Sequence, residues 1–309
     1  MIADVLKTIL YFDVFSYPLK EEEIVLFSRD NNNDTQTLSA LKELQKQGVI
    51  KYKDGFYFIE DSSKIERRKR GNILAEKRLK TAMRYSRIMS WFPYVKAIML
   101  SGSISKGYMG VNDDIDYFII TQPGRLWIAR TLLTLFKKIF LLNSYRNFCI
   151  NYFTDADNLS VKERTRYAAT EIVFLLPAFN LSMYRKILID NPWVKSYYPE
   201  FEKKKNDCIE NEIWLKKWIE KLLNNRLGDK LEDLLFSKSV KFIKRKFSKL
   251  DNQSFENSFS LKKNELRYFP DARQDYINQH FQMKINDFEN RFGFNLSELN
   301  NVKAIAGCP

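Results

Sequence analysis

The chain has 309 residues, of which 45% are hydrophobic and 15% aromatic, enough apolar content for two or three packed domains, and this excludes a disordered polymer. Its three cysteines, Cys149, Cys208 and Cys308, lie far apart with no CxxC pair, which argues for a reducing compartment and against a disulfide framework or structural zinc. A formal net charge of +13 implies attraction to something acidic: nucleic acid, nucleotide or an anionic membrane surface.

Residues 1–7 carry an early acid, Asp4, and no long apolar core, so they do not read as a signal peptide. The segment 1–60 reads as a winged helix-turn-helix. Val5, Ile9, Leu10 and Phe12 mark a first helix closed near Pro18, and residues 20–28 a second. Thr35 opens a third that carries Leu38, Leu41 and Leu44 and ends at Gly48. Asp54-Gly55 then turns a β-hairpin. The third helix exposes Gln36, Ser39, Lys42, Glu43 and Lys46, a face with little positive charge. That composition favours docking or substrate positioning over DNA reading.

A long basic helix spans about 62–91 and leads into an apolar strand at 95–100. After the turn Gln122-Pro123-Gly124, residues 126–142 read as an amphipathic helix covering a sheet. Arg130, Lys137 and Lys138 interrupt this apolar stretch, so no transmembrane segment is expected, and the protein reads as cytoplasmic. Residues 147–153 form the next strand, and 160–190 and 205–250 are helical by periodicity. Within the latter, Phe236, Val240, Ile243, Phe247 and Leu250 make a stripe that reads as core-facing rather than membrane-facing. Residues 251–309 are polar, with helical patches around 271–292. The expected class is α/β, with three domains over 1–60, 61–190 and a helical 191–309.

The chemistry concentrates between residues 99 and 120. Gly102-Ser103 follows the first apolar strand, and Gly107 and Gly110 come close behind, so that backbone N–H groups can approach an anion. Asp114 and Asp116 flank Ile115 in a second apolar run that reads as a strand, which puts both carboxylates on one face. Two such groups repel unless a cation sits between them, and oxygen ligands suit Mg²⁺.

The Gly-Ser turn, the spacing and the Asp-x-Asp strand resemble the nucleotidyltransferase superfamily that includes DNA polymerase β, over roughly residues 95–155. The resemblance implies a mixed α/β core in which Gly102 and Ser103 hold a nucleoside triphosphate, with Lys106 as a candidate cationic partner. Asp114 and Asp116 hold two Mg²⁺ ions. A nucleoside monophosphate then passes to a hydroxyl of a small molecule, a protein or RNA. The family's third carboxylate belongs on the following strand, where Cys149, Asn151, Phe153 and Asp155 are expected on one face. Two alternatives stand: Asn151 takes that place as a neutral ligand, or Asp155 (less readily Asp157) supplies the acid from the strand end. The rival reading of Asp155-Ala156-Asp157 is a turn or helix cap. If the acid is missing, the second functional reading is a weak or inactive nucleotidyltransferase-fold regulator that binds DNA or a protein through the winged helix.

Overall fold

The computed structural model describes residues 2–28, 34–141, 146–199, 201, 208–210, 213–268, 273–293 and 296. Its elements run α1 (Ile2–Val14), α2 (Glu21–Phe27), α3 (Asp34–Lys46), β1 (Lys51–Lys53), β2 (Phe56–Phe58) and α4 (Ser63–Ser90). Then come β3 (Val95–Ser101), α5 (Gly102–Ser105), β4 (Asp116–Thr121), α6 (Leu126–Phe140), β5 (Cys149–Asp155), α7 (Arg166–Phe174), β6 (Leu176–Phe179) and α8 (Leu181–Asp190). The chain continues with a 3₁₀ turn (Pro192–Ser196), α9 (Trp214–Leu223), α10 (Arg226–Lys246), α11 (Asn252–Ser258), β7 (Phe259–Lys262), β8 (Glu265–Tyr268) and α12 (Arg273–Phe292).

Two compact units result, one from residues 1–70, 193–202 and 274–309, the other from 71–192 and 203–273. In the first, α1–α3 pack around Leu6, Ile9, Ile24, Leu41 and Leu44, and β1 and β2 form an antiparallel hairpin turned by Asp54-Gly55. Tyr57 and Leu19 exchange backbone hydrogen bonds, a single antiparallel bridge beside the hairpin. Helix α12 belongs to this unit. Phe281 meets Tyr11 edge-on at 5.3 Å, and Lys284 and Lys64 both clasp Asp13, at 2.6 and 2.7 Å. The three consecutive domains expected from the sequence are therefore not the observed grouping, because α12 carries side chains matched to α1, far away in sequence.

The second unit is built on a mixed six-stranded sheet in the order β6-β3-β4-β5-β8-β7, in which only β4 and β5 are parallel. Ile98 and Leu100, Tyr117 and Ile119, and Phe153 point from β3, β4 and β5 into one core with Ala75, Ala82 and Met89 of α4, Trp127 and Leu133 of α6, and Ile243 of α10. Each large side chain so buried contributes roughly 1.5–3 kcal/mol. Phe236, Val240 and Phe247 pack against the same core. Glu232 of α10 caps α6 by accepting the Trp127 and Ile128 amides at 2.7 and 2.9 Å, satisfying two groups that a helix start leaves open. Helices α7 and α8 pair beyond β6, and α8 also packs on β3.

Three strands depart from the helical expectation. β6 interrupts 160–190, and the β7–β8 hairpin occupies 259–268 in the stretch expected to be helical and polar. Each is only four residues long, too short for periodicity to separate from loop. Among the described residues no helix is long and apolar enough to cross a membrane.

Candidate functional site

The site lies where β3 ends and β4 begins. Ser101, the last residue of β3, pairs with Asp116, the first of β4. Gly102 then turns the chain with φ +66°, a left-handed conformation that glycine adopts without a Cβ penalty. A Cβ on Gly102 would lie 2.5 Å from Asp116 Oδ2, so glycine is required twice over: for the backbone and for the carboxylate beside it. The turn is braced from within by Ser105, whose hydroxyl donates to the Gly102 carbonyl at 2.9 Å. Lys106 donates to that same carbonyl at 3.1 Å and forms an ion pair with both oxygens of Glu171 on α7, at 2.9 and 3.0 Å. Its charge is thus matched by Glu171 and its position fixes the turn. Met109 donates its amide to Gly71 of α4 at 3.0 Å, tying down the far end of the loop.

Asp114 is not part of the strand. β4 starts at Asp116, and the two carboxylates are not on one face by strand alternation. Their loop is instead held by Arg78, a buried guanidinium on α4. It donates to the carbonyls of Asp113 and Arg146, the latter at 2.5 Å, and to Asn147 Oδ1 at 3.1 Å. Ile115 donates its amide to Arg146 O and accepts from the Cys149 amide, both at 3.1 Å, so the segment bearing Asp114 is stitched to the approach of β5. Hydrogen bonds to a charged donor are worth about 1.5–3 kcal/mol, and Arg78 concentrates three of them on two loops.

A bulge in β5 changes the expected set of facing residues. Asp116 pairs with Cys149 and Tyr117 with Ile150, but Phe118 pairs with Tyr152, leaving Asn151 as the extra residue. Bulges re-aim side chains in this way, and they concentrate next to functional sites. Asn151 Nδ2 donates to Asp116 Oδ1 at 2.6 Å, and Asn151 Oδ1 accepts from the Cys149 thiol at 3.1 Å. After the bulge the alternation is reversed. Phe153 points into the core opposite Ile119 and does not share a face with Cys149 and Asn151, as unbroken alternation would require.

Asp155 pairs with Thr121, the last residue of β4, whereas Asp116 is the first. That separates it from Asp116 by five residues of strand, roughly 16 Å. Its carboxylate accepts the Asp157 amide at 3.2 Å, closing a turn, and Asp157 is exposed. The structure therefore does not bring Asp155 or Asp157 to the Gly102–Asp116 end, and Asn151 alone takes the adjacent position on β5. Among the described residues no group of three or more His, Cys, Asp and Glu converges in a way that holds a metal ion.

The electrostatics draw the remaining groups together. Burial pushes the Cys149 thiol up to about 12, reinforced by the negative charges of Asp116 and Asp114, so both carboxylates act on the same sulfur. Burial lowers the Lys137 ammonium on α6, against the attraction of Cys149 and Asp114, which places a cation within electrostatic reach of those two groups. The Asp114 carboxylate and the Ser103 hydroxyl, both half-buried, make no side-chain hydrogen bond or ion pair among the described residues. Arg78, Lys137 and Cys149 were not singled out as site residues from the sequence. Arg78 sits among the many basic residues of α4 and Lys137 in a helix whose apolar periodicity dominates the pattern, and nothing in their spacing points to residues 114–116.

Comparison of the chain with family models, curated proteins and solved structures returns no match.

Proposed function

We propose that the second unit is a nucleotidyltransferase-like core that binds a Mg²⁺–nucleoside triphosphate at the Gly102–Asp116 corner and transfers a nucleoside monophosphate to a hydroxyl. The observation that carries the reading is the half-buried Asp114 and Asp116 pair set against a left-handed Gly102, with no side-chain hydrogen bond to Ser103 Oγ or to the Asp114 carboxylate among the described residues. Two carboxylates and a hydroxyl are hard oxygen donors, and Mg²⁺ is commonly bound by one or two carboxylates together with substrate phosphates and water. Asp114 and Asp116 would hold the ion, which when bound neutralises phosphate charge and polarises the phosphoryl group.

The chain's own groups have distinct tasks in this reading. Gly102 and Ser103 offer backbone N–H and hydroxyl to the phosphates, Lys106 keeps their turn in place, and Lys137 adds positive charge. The acceptor oxygen bonds to the α-phosphorus while the bond from that phosphorus to the pyrophosphate oxygen breaks, and the acceptor loses its proton. A base for that proton is the weak point, because the neighbour of Asp116 on β5 is an amide. The same absence of a third acid leaves the donor set suited to one ion rather than two.

Asn151 therefore favours a second reading, a nucleotide-binding regulator with slow or no turnover. In it the first unit, whose three helices and hairpin follow the winged-helix order, engages a protein or DNA partner.

The experiment is to follow binding of a fluorescent nucleoside triphosphate with and without Mg²⁺, and pyrophosphate release from each labelled triphosphate with and without cell extract. Mg²⁺-dependent binding that Asp114→Ala and Asp116→Ala each abolish supports the site, and pyrophosphate release decides between the readings. Binding or activity that survives both substitutions sinks it.

A further inference from the structure

A shelf of half-buried side chains adjoins the Gly102–Asp116 corner on the second face of the sheet. Along β4 the residues alternate. Tyr117 and Ile119 are 0% exposed and point into the core, while Asp116 and Phe118 point the other way and are half-buried. Phe118 pairs with Tyr152 of β5, also half-buried, and the two rings lie 4.6 Å apart. The shelf closes one step further along, where the paired Ile120 and Thr154 are 0% and 1% exposed. It therefore starts at Asp116 and runs for two residues of strand, roughly 7 Å.

The floor of this shelf is fixed and neutral. The Tyr152 hydroxyl donates to Glu265 Oε1 on β8 at 2.9 Å, and the Ser260 hydroxyl donates to Glu265 Oε2 at 2.6 Å. Burial raises the Tyr152 phenol above its ordinary value, so it stays uncharged. Arg267, which pairs with Tyr152 on β8, is engaged by Glu163 at 3.3 Å, so the charge at the far edge is matched. Two rings with compensated charges behind them suit a flat, uncharged group rather than an anion.

We infer that Phe118, with Tyr152 beside it, is the stacking platform for the base of the nucleoside triphosphate. The inference rests on the triphosphate reading of the corner. In that reading the pyrophosphate end lies at Gly102 and Ser103, past the end of β3, and the α-phosphorus lies beside Asp116 of β4. In-line displacement brings the acceptor oxygen from the side opposite the leaving oxygen. That is the β5 side, where Asn151 stands. The nucleoside leaves the α-phosphorus across this line, and along β4 it meets Phe118. A ribose fills roughly the 7 Å of strand between Asp116 and Phe118. Stacking accepts any base, so the platform favours a nucleotide over a baseless triphosphate without choosing the base.

The test is calorimetric titration of the full chain, in Mg²⁺, with ATP, UTP and ribose 5-triphosphate, which carries the same charge and lacks the base. ATP and UTP are expected to bind at least about tenfold more tightly than ribose triphosphate. Phe118→Leu keeps apolar bulk and removes the ring. It should bring both nucleotides down to the level of ribose triphosphate and leave ribose triphosphate binding unchanged, which also shows that the corner stays folded. Phe118→Trp should keep or widen the preference. Equal binding of all three ligands by the parent, or a preference that survives Phe118→Leu, overturns the platform and leaves the corner standing. Failure of all three to bind, or binding untouched by Asp114→Ala and Asp116→Ala, overturns the corner and the platform with it.

Discussion

Asn151 donates its amide to Asp116 across a strand bulge at 2.6 Å, while the Cys149 thiol fixes the opposite end of the same amide. The orientation of Asn151 is thereby set from both sides: oxygen toward sulfur, nitrogen toward carboxylate. Asn151→Asp changes charge at constant shape. Without metal the variant should lose about 1–2 kcal/mol through repulsion with Asp116. With millimolar Mg²⁺ that loss should reverse, seen as a larger Mg²⁺-dependent rise in Tm than the parent shows. If base strength limits turnover, pyrophosphate release should rise by about 10²-fold or more. A Tm response to Mg²⁺ equal to that of the parent would refute the placement of an ion beside Asp116.

Gly102→Ala probes the corner itself. The substitution imposes a positive φ on a residue with a Cβ and pushes that Cβ toward Asp116 Oδ2. The expected cost is about 1–3 kcal/mol in denaturant unfolding. Nucleotide binding should fall further than stability does, because the displaced group is Asp116. By contrast Gly107, whose Cβ would meet nothing, should cost only its backbone strain on the same substitution.

Cys149 reports on the carboxylates. Its thiol is held up near 12 by burial and by Asp116 and Asp114, so at pH 8 peptide-level mass spectrometry should find it nearly inert to iodoacetamide. Asp116→Asn removes one of those charges, and each unit by which the thiol comes down raises the thiolate fraction about tenfold. Mg²⁺ binding should act in the same direction. Alkylation that neither the substitution nor Mg²⁺ alters would separate Cys149 from the site.

Asp155 supplies a contrast within one strand. Burial is the largest influence on it and raises its carboxyl above 3.8, so the native chain keeps this proton longer than the unfolded chain does. Stability on its account is therefore greatest at low pH and declines as pH rises from 3.8 through the folded value. Asp155→Asn should flatten that segment of the stability–pH curve and leave the protein at least as stable at pH 7. It should also leave nucleotide binding unchanged, as Asp116→Asn should not. Loss of binding in Asp155→Asn would restore it as a site residue.

The strands and helices that carry the site were legible where apolar runs are long. Val95–Ser101, Asp116–Thr121 and Leu126–Phe140 are the observed bounds of elements expected at 95–100, 114–120 and 126–142. The Gly102–Asp116 approach follows from glycine just after β3 and acid at the start of β4, side by side at one end of an antiparallel pair. The bulge at Asn151 was not legible, since period-2 reasoning assumes no inserted residue, and it moved Phe153 off the expected face. Asp155 was misplaced for the same reason of scale. A residue near a motif in sequence is still a full strand length from it in space. The contribution of Arg78 escaped because a buried arginine in a basic helix looks like its solvated neighbours.

β5 lies inside the sheet only because β8 flanks it, and the Tyr152–Glu265 contact between them spans 113 residues. Until the β7–β8 hairpin arrives, the strand bearing Asn151 is an open edge, and loop closure over such a distance is slow. The Gly102–Asp116 corner thus rests on a strand whose outer edge is covered late, although its motif sits in the first half of the chain. A chain halted before residue 259 would present an unpaired β5 to its neighbours, and aggregation would compete with assembly.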